Sequence, residues 1–100
     1  MNMQALMKQA QAMQRDITKT KEEIDSMEFN GESSFVSIVV NGKKEVLKVT
    51  ISPSAKEVVV DDISMLEDMI MIAMNDAFKK VDKTTQEKMG KYSSMMNGLM

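Results

Sequence analysis

The chain has 100 residues, enough for one small domain, with thirteen Lys/Arg against fifteen Asp/Glu for a formal net charge of −2. The absence of His, Cys and Trp excludes disulfides, thiol chemistry, Cys/His zinc sites and catalytic dyads or triads built on His or Cys. No apolar run approaches the roughly 20 residues that span a bilayer. The amphipathic start Met1-Asn2-Met3-Gln4-Ala5-Leu6 lacks the basic and continuously apolar regions of a signal peptide, so the expectation is a folded cytoplasmic domain with no membrane partner.

Residues 2–28 hold no Gly and no Pro and favour one long helix. Met3, Leu6, Ala10, Met13, Ile17, Thr20, Ile24 and Met27 are spaced alternately by three and four, a heptad pattern with a continuous seam. Such a helix reaches about 40 Å, whereas a 100-residue globule has a radius of gyration near 13 Å. It should therefore project beyond its own domain or lie along a partner. Asn30-Gly31 reads as the turn that ends it. Three strands are expected next, over 34–40, 45–51 and 57–60, as an antiparallel meander. Asn41-Gly42 supplies the first hairpin turn and Ser52-Pro53-Ser54 the second break.

A second helix is predicted over 62–88. Either Asp62 or Ser64 can cap it, and Ser64 with Glu67 has capping-box spacing. Leu66, Met69, Ile70, Ala73, Ala77 and Val81 form one stripe, but Met71, Ile72, Met74 and Phe78 widen it almost all the way round. A helix apolar on nearly every side must be buried on more than one side. One three-stranded sheet covers one side, so the remaining cover is expected from a second copy. Residues 1–89 thus read as a single domain, and 90–100, with Gly90, Ser93, Ser94, Asn97 and Gly98, as a flexible tail.

Little here suggests chemistry. Asp61-Asp62 and Glu67-Asp68 sit at a helix start, where carboxylates favour the macrodipole, and read as caps rather than as an acid/base pair. The thirteen Met read as adaptable core, since no Cys or His stands by to complete a soft-metal site. Asn41-Gly42-Lys43 is a hairpin turn and carries no nucleotide signal. No enzymatic activity, cofactor, metal or small-molecule substrate is expected.

The stretches Asn2-Met3-Gln4, Leu6-Met7-Lys8-Gln9-Ala10-Gln11, Val40-Asn41-Gly42, Glu45-Val46, Met65-Leu66-Glu67-Asp68, Asn75-Asp76-Ala77 and Glu87-Lys88-Met89 occur in the order found in the YbaB/EbfC family of bacterial nucleoid-associated proteins. The chain resembles that family along essentially its whole length. It departs at Gly31-Glu32-Ser33-Ser34, where the family usually has a Gly-rich run, at Ser52 before Pro53, where Asp is frequent, and at Lys44, where Gly is common. The resemblance implies an α+β protomer of helix, three strands and helix. It further implies an intertwined homodimer whose first helices protrude like tweezers, and sequence-tolerant binding of duplex DNA in the nucleoid.

Duplex affinity without sequence preference needs cations that neutralise phosphates. Lys8, Arg15 and Lys19 form a basic stripe away from the heptad seam, with Lys21 beside it; Lys79, Lys80 and Lys83 form a second cluster. These seven are the candidate DNA-binding residues. Candidate dimer contacts are Ile17, Ile24, Met27, Met69, Ile70, Met71, Ile72, Met74 and Phe78. A different class of function is an adaptor that grips an amphipathic protein partner through the Met-rich start of helix 1, a reading that the acidic pI near 5.1 favours.

Overall fold

A computed structural model describes residues 2–52 and 62–97. The chain runs α1 (Met3–Ser26), β1 (Glu28–Ser33), β2 (Val36–Asn41), β3 (Val46–Ile51) and α2 (Ile63–Asn97), with the strands in one antiparallel sheet of order β1-β2-β3.

α1 begins where Asn2 supplies a side-chain oxygen to the Gln4 amide at 3.0 Å, satisfying one of the free donors of the first turn. It ends at Ser26. Met27 is already extended, and its N–H closes on the Ile24 carbonyl at 3.0 Å. Glu28 then opens a strand that the sequence reading did not contain. Asn30 and Gly31 do not turn; they lie mid-strand opposite Val39 and Ile38. The reason for glycine at 31 is packing. A Cβ there would lie 2.0 Å from the Ala73 carbonyl oxygen and 2.5 Å from the Ala77 nitrogen, so only a bare backbone lets α2 sit this close. The turn comes later, at Ser34-Phe35, where Ser34 takes a left-handed φ of 48°. Among the described residues the meander has three strands in sequence order, and it begins one strand earlier than expected. The strand expected over 57–60 falls outside the described residues.

The second hairpin lies where Asn41-Gly42 pointed, with a different turn. The Lys44 N–H donates to the Asn41 carbonyl at 3.0 Å, and the left-handed position falls on Lys44 (φ 64°), not on glycine. A three-residue loop ending in a left-handed residue is a common alternative to the two-residue hairpin. β3 carries a bulge opposite Val39 and Val40 that leaves Leu47 unmatched.

The core forms between one face of the sheet and one stripe of α2. Phe29, Val36, Ile38 and Val40 meet Met69, Ala73, Ala77 and Val81, which recur every four residues. The outer edge of β1 is closed by side chains of α2. The Lys80 ammonium donates to the Asn30 carbonyl at 2.6 Å, and the Glu32 N–H donates to the Asp76 carboxylate at 3.2 Å. β3 is the opposite edge. Val46, Val49 and Ile51 share the core face with Val40, Ile38 and Val36, yet 43–51% of their surface stays exposed because α2 lies over β1 and β2.

Asp62 is the cap of α2, accepting from the Met65 N–H at 3.2 Å. The helix continues past the expected end at 88 to Asn97, so residues 90–97 are helical where a tail was predicted. Gly90 interrupts no packing, since nothing lies within 4 Å of a Cβ placed there. Tyr92 is buried, with its hydroxyl 3.5 Å from that of Thr20. This pairing sets α1 and the second half of α2 side by side and antiparallel. The result is elongated, 72 × 21 × 13 Å with a radius of gyration of 20.0 Å, well above the value for a globule of this length.

Candidate nucleic-acid interface

The two helices share one arm. Near the sheet, Ile24 of α1 is buried and Ile17, Thr20 and Met27 are half-buried. Towards the free end, Met3, Leu6 and Met7 are 72%, 47% and 59% exposed, so the heptad seam outruns its cover. The cations lie outside the seam. Lys8, Arg15, Lys19 and Lys21 are all exposed, as are Lys79 and Lys83 on α2, and among the described residues none of these six makes an ion pair.

Lys80 differs from the other candidates. Its ammonium is committed to the Asn30 carbonyl and lies 3.6 Å from Asp76, so closing the β1 edge is its structural task. Lys44, on the hairpin turn, is likewise engaged, 2.9 Å from Asp82 and 5.9 Å over the Phe78 ring. Lys91 lies 4.9 Å over the ring of Tyr92, the residue that meets Thr20, and so brings α2 charge to the stretch of α1 that carries Lys19 and Lys21.

Charge is separated along the arm. From Met3 to Lys21, α1 carries four cations and one carboxylate; from Glu22 to Glu28 the chain carries four carboxylates and no cation. α2 repeats the pattern: Asp62 to Phe78 holds four carboxylates and no cation, whereas Lys79 to Asn97 holds five cations and two carboxylates. Each helix is near neutral as a whole, which is how the sequence reading missed this. Antiparallel pairing puts the α1 cations and, from α2, Lys88 and Lys91 on the arm, whereas Lys79, Lys80 and Lys83 flank the core residue Val81 and stay beside the sheet with the negative segments. A polyanion approaching the arm meets a positive field in spite of the net charge.

The candidate dimer contacts divide. Ile24 and Met69 are buried within the protomer, Met27, Ile70, Met74 and Phe78 are half-buried against its core, and Ile17 is half-buried on α1. Met71 and Ile72 are exposed at 56% and 52%. The sequence reading did not single out β3, whose Val46, Leu47, Val49 and Ile51 are all exposed. The signal was present: a single helix crossing a twisted sheet seldom covers three strands. Among the described residues, no cluster of three or more acidic side chains could hold a metal, and no helix is long and apolar enough to cross a membrane.

The fold and its two-helix arm define an α+β domain that gathers positive charge away from its core. Over residues 1–96 the chain matches the model of the YbaB/EbfC DNA-binding family, and it belongs to that family. It is 39% identical over 99 residues to a nucleoid-associated protein of Ligilactobacillus salivarius, a match spanning 99% of this chain and 95% of that one. It is 38% identical over 100 residues to a nucleoid-associated protein of Ruminiclostridium cellulolyticum, covering 98% and 85% of the two chains. The crystal structure of an uncharacterized protein from Helicobacter pylori has the same fold, with a TM-score of 0.66 at 20% identity over 100% of this chain and 99% of that one.

Proposed function

We propose that two copies of this chain form a tweezer-like homodimer that binds duplex DNA weakly and largely without sequence preference, in the nucleoid, with no catalytic step. The observation that carries this reading is the separation of charge along the arm, with Lys8, Arg15 and Lys19 exposed and uncommitted on its outer part. Their neutralisation of phosphates and the release of counterions supply the affinity. Two arms on one duplex raise the effective concentration of the second contact. The sole Tyr is buried and the three Phe are buried or half-buried, so no aromatic platform for stacking bases supports a single-strand reading.

Dimerisation is supported by apolar surface the protomer leaves uncovered: Val46, Val49 and Ile51 on the core face of β3, and Met71 and Ile72 on α2. Ile24 and Met69 are already satisfied within the protomer and add little to such a contact. The decisive experiment is a titration of purified protein onto unrelated duplexes across a range of salt. Affinity that stays flat as salt rises removes the mechanism.

The exposed Met3, Leu6 and Met7 favour a second reading, in which the arm tips hold an amphipathic protein. Leu6→Lys with Met7→Lys separates the two readings. It adds cations and so strengthens phosphate binding, but it abolishes an apolar grip.

A further inference from the structure

The turn between β2 and β3 makes two unusual demands on the backbone, and they fall on different residues. Gly42 is needed for space: a Cβ there would lie 2.0 Å from the Ile24 carbonyl oxygen and 2.9 Å from Asp25 Cα, so the turn is pressed against the last turns of α1. Lys44 takes the left-handed conformation, φ 64°, which a residue with a Cβ adopts at a cost and glycine adopts freely. The three-residue hairpin loop itself sets that conformation. Here the Lys44 side chain reaches α2, with its ammonium 2.9 Å from Asp82 Oδ1 and 5.9 Å from the centre of the Phe78 ring.

Asn41 stiffens the same turn. Its side-chain oxygen accepts from the Lys43 and Glu45 amides at 2.9 and 3.0 Å, and its amide nitrogen donates to the Glu45 carboxylate at 3.0 Å. The hairpin tip is thus a stiff wedge with α1 seated on one side and α2 tied to the other. We propose that Lys44 is a positioning residue: its clasp on Asp82 and Phe78 fixes the angle between α1 and α2 at the base of the arm, and with it the spacing of the arm cations. The link to DNA rests on the function proposed above; the clasp itself does not.

The side chains of Lys44 and Asp82 are 45% and 66% exposed, so their ion pair is weak, and glycine at 44 would relieve the backbone. Breaking the clasp should therefore leave overall stability nearly unchanged and show itself in geometry. The chain has no Cys, so Gln11→Cys on α1 and Glu87→Cys on α2, both exposed, give two clean spin-label positions in the full-length protein. Labelled subunits diluted with unlabelled ones report the intramolecular distance by pulsed EPR.

Asp82→Asn and, separately, Lys44→Gly should broaden or shift that distance distribution. Lys44→Glu combined with Asp82→Lys should narrow it again. On DNA, Asp82→Asn should weaken binding about threefold or more at fixed salt, because two arms share one duplex only when their spacing fits. If Lys44 were merely a phosphate-binding cation, Asp82→Asn would free it and strengthen binding. An unchanged distribution in Asp82→Asn overturns the proposal whatever DNA does. A broadened distribution with equal or tighter DNA binding overturns the link between clasp and binding. Wild-type protein that shows no salt-dependent binding removes the DNA reading, while the distance measurement still decides the clasp.

Discussion

Replacing Lys8, Arg15 and Lys19 together by Gln removes the outer-arm charge that the structure leaves uncommitted. The three lie along one side of α1 over eleven residues, about 16 Å at the helical rise. B-DNA presents one phosphate charge per ~1.7 Å of axis, so each cation on such a stripe has a phosphate within reach. In a dimer the stripe occurs twice, giving about six neutralised phosphates and a slope of log affinity against log salt of about −5. Binding would then fall about a thousandfold between 50 and 200 mM salt. The triple variant should lose the part of the slope that these three supply, keeping only what Lys21, Lys79 and Lys83 add to it, and should weaken on unrelated duplexes alike. Fluorescence anisotropy at four or five salt concentrations measures this directly. An unchanged slope in the variant would refute the assignment to the arm and move the site to the second cluster on α2.

Gly31→Ala should destabilise the fold by about 3 kcal/mol, because the new methyl meets the α2 backbone rather than a flexible side chain; guanidinium unfolding reads the loss. Asp62→Ala should cost about 1 kcal/mol while Ser64→Ala is nearly neutral, since Asp62 makes the capping bond; equal losses in thermal melts would assign the cap wrongly. Val49→Lys places a charge on the exposed core face of β3. It should yield a folded single subunit by sedimentation with an unchanged far-UV spectrum, and a variant that still dimerises would place the contact elsewhere.

What the sequence disclosed followed from periodicity and one turn signal. The heptad seam of α1 and the stripe at 69, 73, 77 and 81 each have a spacing that fixes the element, and the strands on either side of Asn41-Gly42 were marked by that hairpin signal. β1 was hidden because its six residues hold one large apolar side chain, Phe29, and because Asn-Gly is a turn signal whose second reason, room for a helix passing overhead, depends on residues more than forty positions away. Gly90 and the serines after it suggested fraying, but the buried Tyr92 holds the end of α2 to α1. At the site, the exposure of the cations was legible. The diversion of Lys80 to the Asn30 carbonyl and of Lys44 to Asp82 was not, because both depend on tertiary neighbours.

The two margins of the sheet are unequal, and that inequality bears on how far assembly can proceed. Asp76 and Lys80 fill one donor and one acceptor on the β1 margin that another chain would have used, while among the described residues no strand lies outside β3. Two copies joined through their open margins would turn only plugged ones outward. Growth by strand addition would stop at a pair, and a protein with so much uncovered β3 surface would be spared the runaway stacking that such a surface otherwise invites.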